Sequence, residues 1–392
     1  MNKKLFFYLS SSFHNAYKHM AANVPEGFEA TNSEFMAHIP ITKKQTFYPE
    51  SIKKITINLQ PHLSPLYNRL RVMLNKPKIR KFYSEDYDLV HSGQSILETN
   101  LPYIMDFEHA AVFSGYNQYA FEKQGFKKAL ARLLLDKKLK KLTPWSNAAK
   151  ESLLNFIKDE KLAEKTEVVY PVMSTPKELN REKHDSVNFI FVGGIFFEKG
   201  GYDTLLAFQQ ISERYDCTLT MISHVPEEIK RKFSQNKKII ILGSQPYENV
   251  KKQYLKSDVM IFPTHYDTYG FVIPEAYSFG LPVIGVDSFS SPELIEHEET
   301  GLIVESFYSC FRDDRAYRYN TFYELGKNRL EKCKQPTEKY IKRLSDAMAR
   351  IIEDGNLRAK LSENARKEAL EGKFSDKVWK KKMKKIYNEA IE

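Results

Sequence analysis

One stretch of the chain decides both the predicted fold and the predicted site: Pro263-Thr-His-Tyr-Asp-Thr-Tyr-Gly-Phe-Val-Ile-Pro-Glu-Ala-Tyr-Ser-Phe-Gly-Leu-Pro-Val-Ile284. It follows the apolar run Asp258–Pro263, which is typical of a strand buried on both faces. Pro274 suits the first turn of a helix, Gly280 suits its end, and Leu281–Val286 indicates the next strand. A strand, a helix and a second strand in this order predict a βαβ unit with parallel strands.

The same alternation extends outward along the chain. Val187–Val192 is a continuous apolar run, and strands and helices then alternate as far as residue 286. This pattern predicts a doubly wound parallel sheet, whose ligands sit beyond the carboxyl ends of the strands. The N-terminal half has a weaker pattern, with candidate strands at Lys4–Leu9, Ile55–Leu59, Leu89–His91, Tyr103–Phe107, Leu139–Thr143 and Glu167–Tyr170. We therefore predict an α/β protein with two such domains.

The predicted domain boundaries follow shifts in composition. The domains are 1–172 and 184–374, joined by a polar linker at 173–183. An insertion at 305–338, rich in aromatic residues and arginine, is either a locally packed segment or an interface. A helix at 375–392 could cross back to the first domain. Residues 23–50 show no clear period and are predicted to form a loop.

Length and composition exclude several classes of protein. A chain of 392 residues suits two domains, and its 42% apolar and 13% aromatic residues exclude a disordered chain. Three cysteines without a C-x-x-C pair argue against a disulfide framework and a zinc site. No apolar run approaches the ~20 residues of a membrane span. The apolar run Leu5–Leu9 is too short for a signal peptide and predicts a buried strand, so a cytoplasmic location is expected.

Two carboxylates in the deciding stretch are candidates for ligand binding. Asp267 lies in the predicted loop, and Glu275 lies in the first turn of the predicted helix. Both can point into one cleft and accept hydrogen bonds from hydroxyl groups on different parts of a ligand. Gly270 lets backbone N–H groups approach that ligand, and the helix N-terminus offers further N–H groups to a phosphate.

Asp267-x7-Glu275, followed by Gly280-Leu-Pro-Val-Ile284, resembles the E-x7-E signature of the retaining family 4 glycosyltransferases. The resemblance implies the GT-B fold, in which two Rossmann-like domains face a central cleft. It implies that the C-terminal domain binds a nucleotide-sugar donor and the N-terminal domain binds the acceptor. Asp267 would contact the donor sugar and Glu275 the nucleotide ribose. The donor would also lie along four loop residues: Thr268, Tyr269, Gly270 and Phe271.

A second segment, Phe191-Val-Gly-Gly-Ile-Phe-Phe-Glu-Lys-Gly200, resembles the family's G-R-x-x-x-x-K-G motif, whose Arg and Lys hold the donor diphosphate. Gly193 and Lys199 match, but Gly194 stands where the family has Arg, just as Asp267 stands where it has Glu. Lys199 alone could be an ordinary surface lysine. With both motifs present, we predict that it binds the diphosphate and stabilises it as it leaves. The Gly193-Gly194 pair is not a G-x-G-x-x-G fingerprint, so hydride transfer is unsupported.

The N-terminal half resembles the family more loosely. Leu101–His109 is similar to the strand that delivers a cleft histidine, so His109 is the predicted catalytic histidine, with a plain core or surface histidine as the alternative. Ser10-Ser11-Ser12 replaces the expected glycine-rich loop. Asp86-x-Asp88 is similar to a metal-binding D-x-D motif but precedes its strand instead of following it. We therefore expect no metal and no other cofactor, the nucleotide sugar being a substrate.

The basic charge is concentrated in the N-terminal half. Residues 1–180 carry 26 basic and 18 acidic side chains, a net +8 of the total +10. The segment Lys123–Lys141 holds eight basic residues and one acid, and its apolar residues Phe126, Leu130, Leu133 and Leu134 share a helical face. It is either a surface helix packed on its own domain or a contact with anionic lipid on the inner face of the membrane. No recognised nucleic-acid module accompanies the charge, so no nucleic acid is expected.

Together these features predict an enzyme that moves a sugar from a nucleotide diphosphosugar to a hydroxyl acceptor with retention of configuration. Polysaccharide, glycolipid or glycoconjugate synthesis is the expected setting, and the acceptor could be lipid-linked. The alternative is a binding or scaffolding protein that keeps the GT-B fold with weak or no activity. The residues at 194 and 267 prompt this alternative, because both depart from the family pattern.

Overall fold

The computed structural model describes residues 2–9, 15–31, 70–181, 184–318 and 329–392. The chain forms two compact units. The first contains 1–171, 314–322 and 380–392, and the second contains 172–313 and 323–379. The predicted strand Ile55–Leu59 and the serine run 10–12 lie outside the described residues, as do residues 319–328 of the predicted insertion.

The first unit is a layered α/β structure built from short elements. In chain order these are β1 (Lys3–Leu9), α1 (Asn15–Ala22), β2 (Phe28–Thr31), β3 (Ile79–Lys81), β4 (Leu89–Gly93), β5 (Ile96–Glu98), β6 (Tyr103–Phe107), α2 (Gln124–Leu134), β7 (Leu139–Pro144), α3 (Asn147–Leu154) and α4 (Glu160–Glu164). Short 3-10 helices at Ala110–Ser114 and Gln118–Glu122 link β6 to α2. The main sheet is parallel, in the order β2-β1-β4-β6-β7, and β3 pairs with β5.

Two predictions in the first unit are wrong. Phe28–Thr31, inside the predicted loop 23–50, pairs with β1 as the edge strand β2. Only Phe28 of its four residues is buried, which gives too weak a sequence period to detect. Residues 167–170, predicted as a strand, run beside β7 with two backbone hydrogen bonds but form no strand of their own. The isolated bridge next to them joins Leu142 to Thr166, the residue before the predicted strand.

The second unit follows the predicted alternation closely. Its elements are β8 (Val187–Val192), α5 (Gly201–Ser212), β9 (Cys217–Ile222), α6 (Glu227–Phe233), β10 (Ile239–Ile241), α7 (Tyr247–Leu255), β11 (Val259–Phe262), α8 (Val272–Ser278), β12 (Val283–Val286), α9 (Ser291–Leu294), β13 (Gly301–Val304), α10 (Glu338–Glu353) and α11 (Gly355–Glu371). The last helix, α12 (Asp376–Ile391), begins in this unit and belongs to the first unit from Lys380 onward. The sheet is parallel, in the order β10-β9-β8-β11-β12-β13, which is the strand order of a Rossmann fold.

The core of the second unit explains why this sheet forms. β8 and β11 are apolar along almost their whole length, as strands covered on both faces must be, whereas β9 alternates buried apolar residues with Thr218 and Thr220. One face packs against α5 and α10, whose apolar residues fall on one side of each helix. The fully buried members of this core include Phe189, Phe191, Leu205, Phe208, Leu219, Ile261, Leu344 and Met348. Each such large side chain contributes about 1.5–3 kcal/mol relative to an exposed position.

The segments predicted as linker, insertion and C-terminal helix are distributed between the units. The first unit ends at Pro171, so Val172, predicted as the last residue of the first domain, and Met173, predicted as the first residue of the linker, are buried residues of the second unit. Met173 donates a backbone hydrogen bond to the carbonyl of Phe374. Residues 314–318 of the predicted insertion pack in the first unit. The insertion is therefore divided between both units, which its mixed composition did not indicate.

In the ranges that the structure describes, no helix combines the length and the apolar character needed to cross a membrane.

Candidate functional site

The predicted donor residues lie at the position where the strand order of the second sheet reverses. β8 is flanked by β9 on one side and by β11 on the other, so successive connections leave in opposite directions. The loop after β8 carries Lys199, and the loop after β11 carries Asp267. Both loops leave the carboxyl ends of adjacent parallel strands, and this crevice is where doubly wound sheets bind ligands.

Two glycines allow these loops to touch. Gly200 has φ +78°, and a Cβ there would lie 2.2 Å from the carbonyl oxygen of Pro263, so only glycine fits. A Cβ at Gly193 would lie 2.9 Å from the Cβ of Lys199. The backbone N–H of His265 donates to the carbonyl of Glu198 at 3.0 Å. These contacts fix the residues before Lys199 against the residues before Asp267.

Lys199 and Asp267 form a direct ion pair, although they are 68 residues apart in sequence. Lys199 Nζ lies 2.6 Å from Asp267 Oδ2 and donates a second hydrogen bond to the carbonyl of Tyr266 at 2.8 Å. The Lys199 and Asp267 side chains are 20% and 21% exposed. Water therefore reaches the pair only partly, and its Coulomb attraction is stronger than at an open surface.

The other oxygen of Asp267 is committed to its own loop. Oδ1 accepts hydrogen bonds from the backbone N–H groups of Tyr269, at 3.1 Å, and Gly270, at 2.9 Å. Gly270 has φ +87°, and a Cβ there would meet the Phe262 ring at 3.0 Å. Thr268 and Tyr269 are buried, and the ring of Phe271, which precedes α8, lies 4.6 Å from that of Tyr269. The loop residues predicted to surround a donor are thus organised by one carboxylate.

Glu275 lies in the first turn of α8, as predicted, and has a different environment. The Tyr254 hydroxyl on α7 donates to its Oε2 at a long 3.4 Å. Burial raises the pKa of Glu275 to about 7, and the Tyr254 hydrogen bond opposes that rise. The carboxyl group is consequently poised to change its charge near neutral pH.

Gly194 leaves open space where the family motif has arginine. It is exposed, and no atom would lie within 4 Å of a Cβ built on it. The neighbouring Ile195 is also exposed, at 53%. A larger side chain would fit at residue 194. Steric hindrance therefore does not explain why glycine replaces the arginine of the family motif here.

A buried arginine that the sequence did not single out supports both loops. Arg329 Nη2 pairs with Glu198 Oε2 at 2.8 Å, and the guanidinium lies 3.9 Å from the centre of the Tyr266 ring. Glu198 precedes Lys199, and Tyr266 precedes Asp267. Arg329 therefore contacts the neighbour of each site residue and stabilises both loops. The sequence of the predicted insertion does not indicate that Arg329 is near the site. The acidic residue Glu198, next to Lys199, could have indicated that a basic partner lies there.

A second buried pair lies behind the same loops. His265 Nε2 is 2.6 Å from Asp203 Oδ2, and both side chains are fully buried. Burial raises the pKa of Asp203, although the adjacent His265 opposes the change. The pair joins the residue after β11 to the first turn of α5 and holds the loop bases together.

In the first unit, His109, the predicted catalytic histidine, lies in the core. It is fully buried, its Nε2–H donates to the carbonyl of Arg315 at 2.7 Å, and its Nδ1 accepts from Ala111 N–H at 3.0 Å. Its ring lies 4.4 Å from that of Tyr317. Burial lowers the pKa of His109 to about 4. Both ring nitrogens of His109 therefore serve local structure, which favours the alternative of a core histidine, and its catalytic role stays a prediction.

The carboxyl ends of β4 and β6 instead carry a buried network. Asp106 accepts from Tyr17 Oη at 2.6 Å and from His91 Nε2 at 3.0 Å, and Tyr387 of α12 lies 2.8 Å from His91 Nδ1. The partners of Asp106 lie far along the chain, and nothing in the sequence connects them.

The described residues hold no group of three or more His, Cys, Asp or Glu side chains arranged to bind a metal ion. In the predicted D-x-D look-alike, Asp88 Oδ2 accepts from the backbone N–H of Lys4 at 2.7 Å. That carboxylate joins β1 to the segment before β4.

Part of the chain is similar in sequence to known proteins. Residues 175–309 match the family model described as glycosyl transferases group 1. N-acetyl-alpha-D-glucosaminyl L-malate synthase of Bacillus anthracis is 27% identical over 138 residues, 34% of this chain and 36% of that protein. The capsular polysaccharide biosynthesis glycosyltransferase CapM of Staphylococcus aureus is 24% identical over 216 residues, 52% of this chain and 47% of that protein. Matches of this kind span about a third to a half of the curated relatives' own length.

Similarity of fold extends over the whole chain. The crystal structure of Anabaena Alr3699/HepE in complex with UDP and glucose superposes with a TM-score of 0.61, covering 99% of this chain and 100% of that one. The sequence identity is 14%, so this likeness concerns the fold alone. The predicted α/β class with two Rossmann-like sheets is confirmed by the topology and by these relatives. This chain has the GT-B fold, and its residues 175–309 match the family model of the glycosyl transferases group 1.

Proposed function

We propose that this protein transfers a sugar from a nucleotide diphosphosugar to a hydroxyl acceptor, with retention at the anomeric carbon. The family match and the names of the relatives support glycosyl transfer. The fold relative from Anabaena was crystallised with UDP and glucose, which supports a nucleotide-sugar donor. UDP is therefore the first nucleotide to test. The capsular relative favours an acceptor in polysaccharide or glycoconjugate synthesis.

One observation carries the proposal: two separate sequence motifs deliver Lys199 and Asp267 to the same point, 2.6 Å apart, at the switch point of the sheet. An ammonium group at that point can neutralise a phosphate. Two ordered backbone N–H groups lie beside it, on Tyr269 and Gly270. Cationic and N–H donors fixed before the reaction stabilise charge that develops on a departing group.

The proposed reaction needs no covalent intermediate on the protein. The bond between the anomeric carbon and the diphosphate oxygen breaks, and the acceptor oxygen bonds to that carbon on the same face. The acceptor proton passes to the departing diphosphate. Lys199 offsets the charge on the diphosphate, and Glu275 binds the ribose hydroxyls, so positioning supplies most of the rate enhancement.

The test is release of nucleoside diphosphate from UDP-, GDP- and ADP-sugars, with Lys199→Met as the diagnostic variant. Loss of the ammonium should lower kcat by about 100-fold, the scale seen when one transition-state donor is removed. Lys373→Met is a matched control, because Lys373 is also 20% exposed and also contacts a carboxylate and a backbone carbonyl. The control should keep its turnover.

Two results would count against the proposal. Equal turnover in Lys199→Met and the native protein would remove the site assignment. No diphosphate release with any donor, under conditions where the protein stays folded, would favour the scaffolding alternative. Chromatography of the glycoside product then establishes whether the configuration is retained.

We also propose that catalysis proceeds without a metal ion, since Lys199 and the loop N–H groups supply the positive charge that a metal would otherwise provide. Turnover should therefore persist after treatment with a chelator and dialysis. Abolition by the chelator, with recovery on adding Mg²⁺ or Mn²⁺, would contradict this.

We propose that the protein is cytoplasmic and binds to an anionic membrane surface. Helix α2 buries Phe126, Leu130 and Leu134 in its own unit, so the predicted apolar face is not available to lipid. Exposed basic side chains remain on and after the helix, at Lys128, Arg132, Lys137, Lys138 and Lys140.

Exposed apolar side chains accompany this basic surface. Lys123 Nζ donates to the carbonyls of Val72 and Met73, and Met73 and Leu74 are 60% and 56% exposed. Co-sedimentation with phosphatidylglycerol vesicles should weaken as salt rises, because screening removes the attraction between lysine and phosphate. Equal binding to neutral vesicles, or none at low salt, would contradict this.

A further inference from the structure

We propose that Asp267 occupies the anion-binding groups of the donor site in the absence of donor, so that the donor diphosphate must displace its carboxylate. Asp267 then sets the affinity for the donor through Lys199, as a positioning residue. This inference rests on the proposed function, since it concerns the diphosphate of the same donor.

The first step of the argument is a comparison of hydrogen-bond donors. A diphosphate at the switch point would need the ammonium of Lys199 and the N–H groups of the loop after β11. All three groups already bind one carboxylate: Lys199 Nζ binds Oδ2 at 2.6 Å, and Tyr269 N and Gly270 N bind Oδ1 at 3.1 and 2.9 Å. A carboxylate here takes the same partners that a phosphate would take.

The second step is the length of the side chain. An Asp carboxylate can fold back onto N–H groups two and three residues ahead, a turn that suits Asp and Asn. Asp267 does this and still reaches Lys199 with its other oxygen. The carboxylate is therefore directed inward, and both oxygens are satisfied without a ligand.

The third step is electrostatic. The pair is about one-fifth exposed, so the carboxylate cancels much of the positive field that would attract a diphosphate. A diphosphate can bind Lys199 only by sharing it or by displacing Oδ2, and either way the ligand loses part of its binding free energy. Removing the negative charge while keeping the acceptor at Oδ1 should consequently strengthen binding.

The diagnostic variant is Asp267→Asn. The amide oxygen still accepts from the N–H groups of Tyr269 and Gly270, while the NH₂ group in place of Oδ2 cannot pair with Lys199. Titration calorimetry with UDP and with inorganic pyrophosphate should show binding about tenfold tighter than in the native protein, which is about 1.4 kcal/mol. A loss of structure alone would not tighten binding.

The matched control is Asp258→Asn. Asp258 is also 21% exposed, lies 3.4 Å from Arg181 and accepts from a backbone N–H, but it precedes β11 and so lies at the opposite end of that strand from Asp267. The Asp258→Asn substitution changes the net charge by the same amount as Asp267→Asn. The affinity of the Asp258→Asn protein for UDP and for pyrophosphate should stay within about twofold of the native value. Lys199→Met should cancel the gain in the double variant, because the gain acts through that ammonium.

The outcomes separate this inference from the proposed function. Unchanged or weaker binding of UDP and pyrophosphate to Asp267→Asn would overturn the inference, even if the native protein transfers sugar. Tighter binding to Asp267→Asn that persists without Lys199 would also overturn it. A gain in pyrophosphate affinity with no sugar transfer by the native protein would support the inference and contradict the proposed function.

Discussion

At the scale of single residues, Glu275 predicts how donor binding depends on pH. Its pKa is raised to about 7, so the carboxyl group is largely neutral below that pH. Ribose hydroxyls donate best to an ionised carboxylate, so UDP should bind more weakly as the pH falls from 8 to 6. We expect about a tenfold loss, measured by titration calorimetry at each pH. In Glu275→Gln the affinity should be lower and nearly independent of pH; an unchanged slope would contradict the assignment.

His109 predicts that the stability of the fold also falls on acidification. Burial lowers its pKa to about 4 in the folded protein, against 6.5 when unfolded. Between these values the unfolded chain binds the extra proton, so the free energy of unfolding falls as the pH drops from 6.5 to 4. The loss approaches about 3 kcal/mol.

The measurement is urea unfolding at several pH values. His109→Asn can still accept from Ala111 N–H as a helix cap but does not titrate. It should be less stable than the native protein at pH 7 and should lose less stability on acidification. Parallel pH curves for the two proteins would contradict this role.

Residue-level prediction succeeded where a motif ties a side chain to the backbone. Lys199, Asp267 and Glu275 follow strands that are apolar throughout, so their place at the carboxyl edge could be read from the sequence. The ion pair of Asp267 could not be predicted from the sequence, because its partner Lys199 is 68 residues away. Arg329 and Tyr387 contact the site and the His91 network from elements with no recognisable motif.

At the scale of elements, the contact between the loops after β8 and β11 predicts a sharp difference between two glycines. Gly200→Ala places a Cβ 2.2 Å from the carbonyl oxygen of Pro263 at a positive φ, so the loops must separate. We expect a loss of at least about 2 kcal/mol in the free energy of unfolding. Gly194→Ala meets nothing within 4 Å and should change stability by less than about 0.5 kcal/mol.

Chemical denaturation measures both glycine variants, and UDP binding should fall only for Gly200→Ala. Equal stabilities would show that the loops are not held by this contact.

The position of a strand in its sheet explains how well it could be predicted from the sequence. Strands of the second sheet are apolar on both faces and give continuous signals, whereas β2 and residues 167–170 lie at an edge and give weak ones.

At the scale of the whole molecule, the first unit is assembled from separated parts of the chain. Residues 314–318 supply the carbonyl that binds His109 and the Arg315 side chain that pairs with Glu151 at 2.8 Å. Helix α12 supplies Tyr387, which is buried beside His91. Sequence patterns of single segments could not reveal this assembly, because each segment shows only its own apolar face.

The corresponding prediction concerns a fragment. Residues 1–171 alone lack Tyr387, the partner of His91, and Arg315, the partner of His109, so they leave both histidines incompletely satisfied in a core. We expect the fragment to show no cooperative unfolding transition by circular dichroism, while the full chain does. Addition of a peptide covering 376–392 should recover part of the structure. A fragment as stable as the full chain would contradict this account.

The use of α12 by the first unit has a consequence for synthesis on the ribosome. The amino-terminal part of the first unit is translated first, yet it acquires Tyr387 only after the second unit, up to Trp379, has been synthesised. Until residue 387 leaves the ribosome, we expect the nascent amino-terminal part to expose an incomplete apolar core, which is the state that chaperones bind. We therefore expect the second unit to complete its fold before the first.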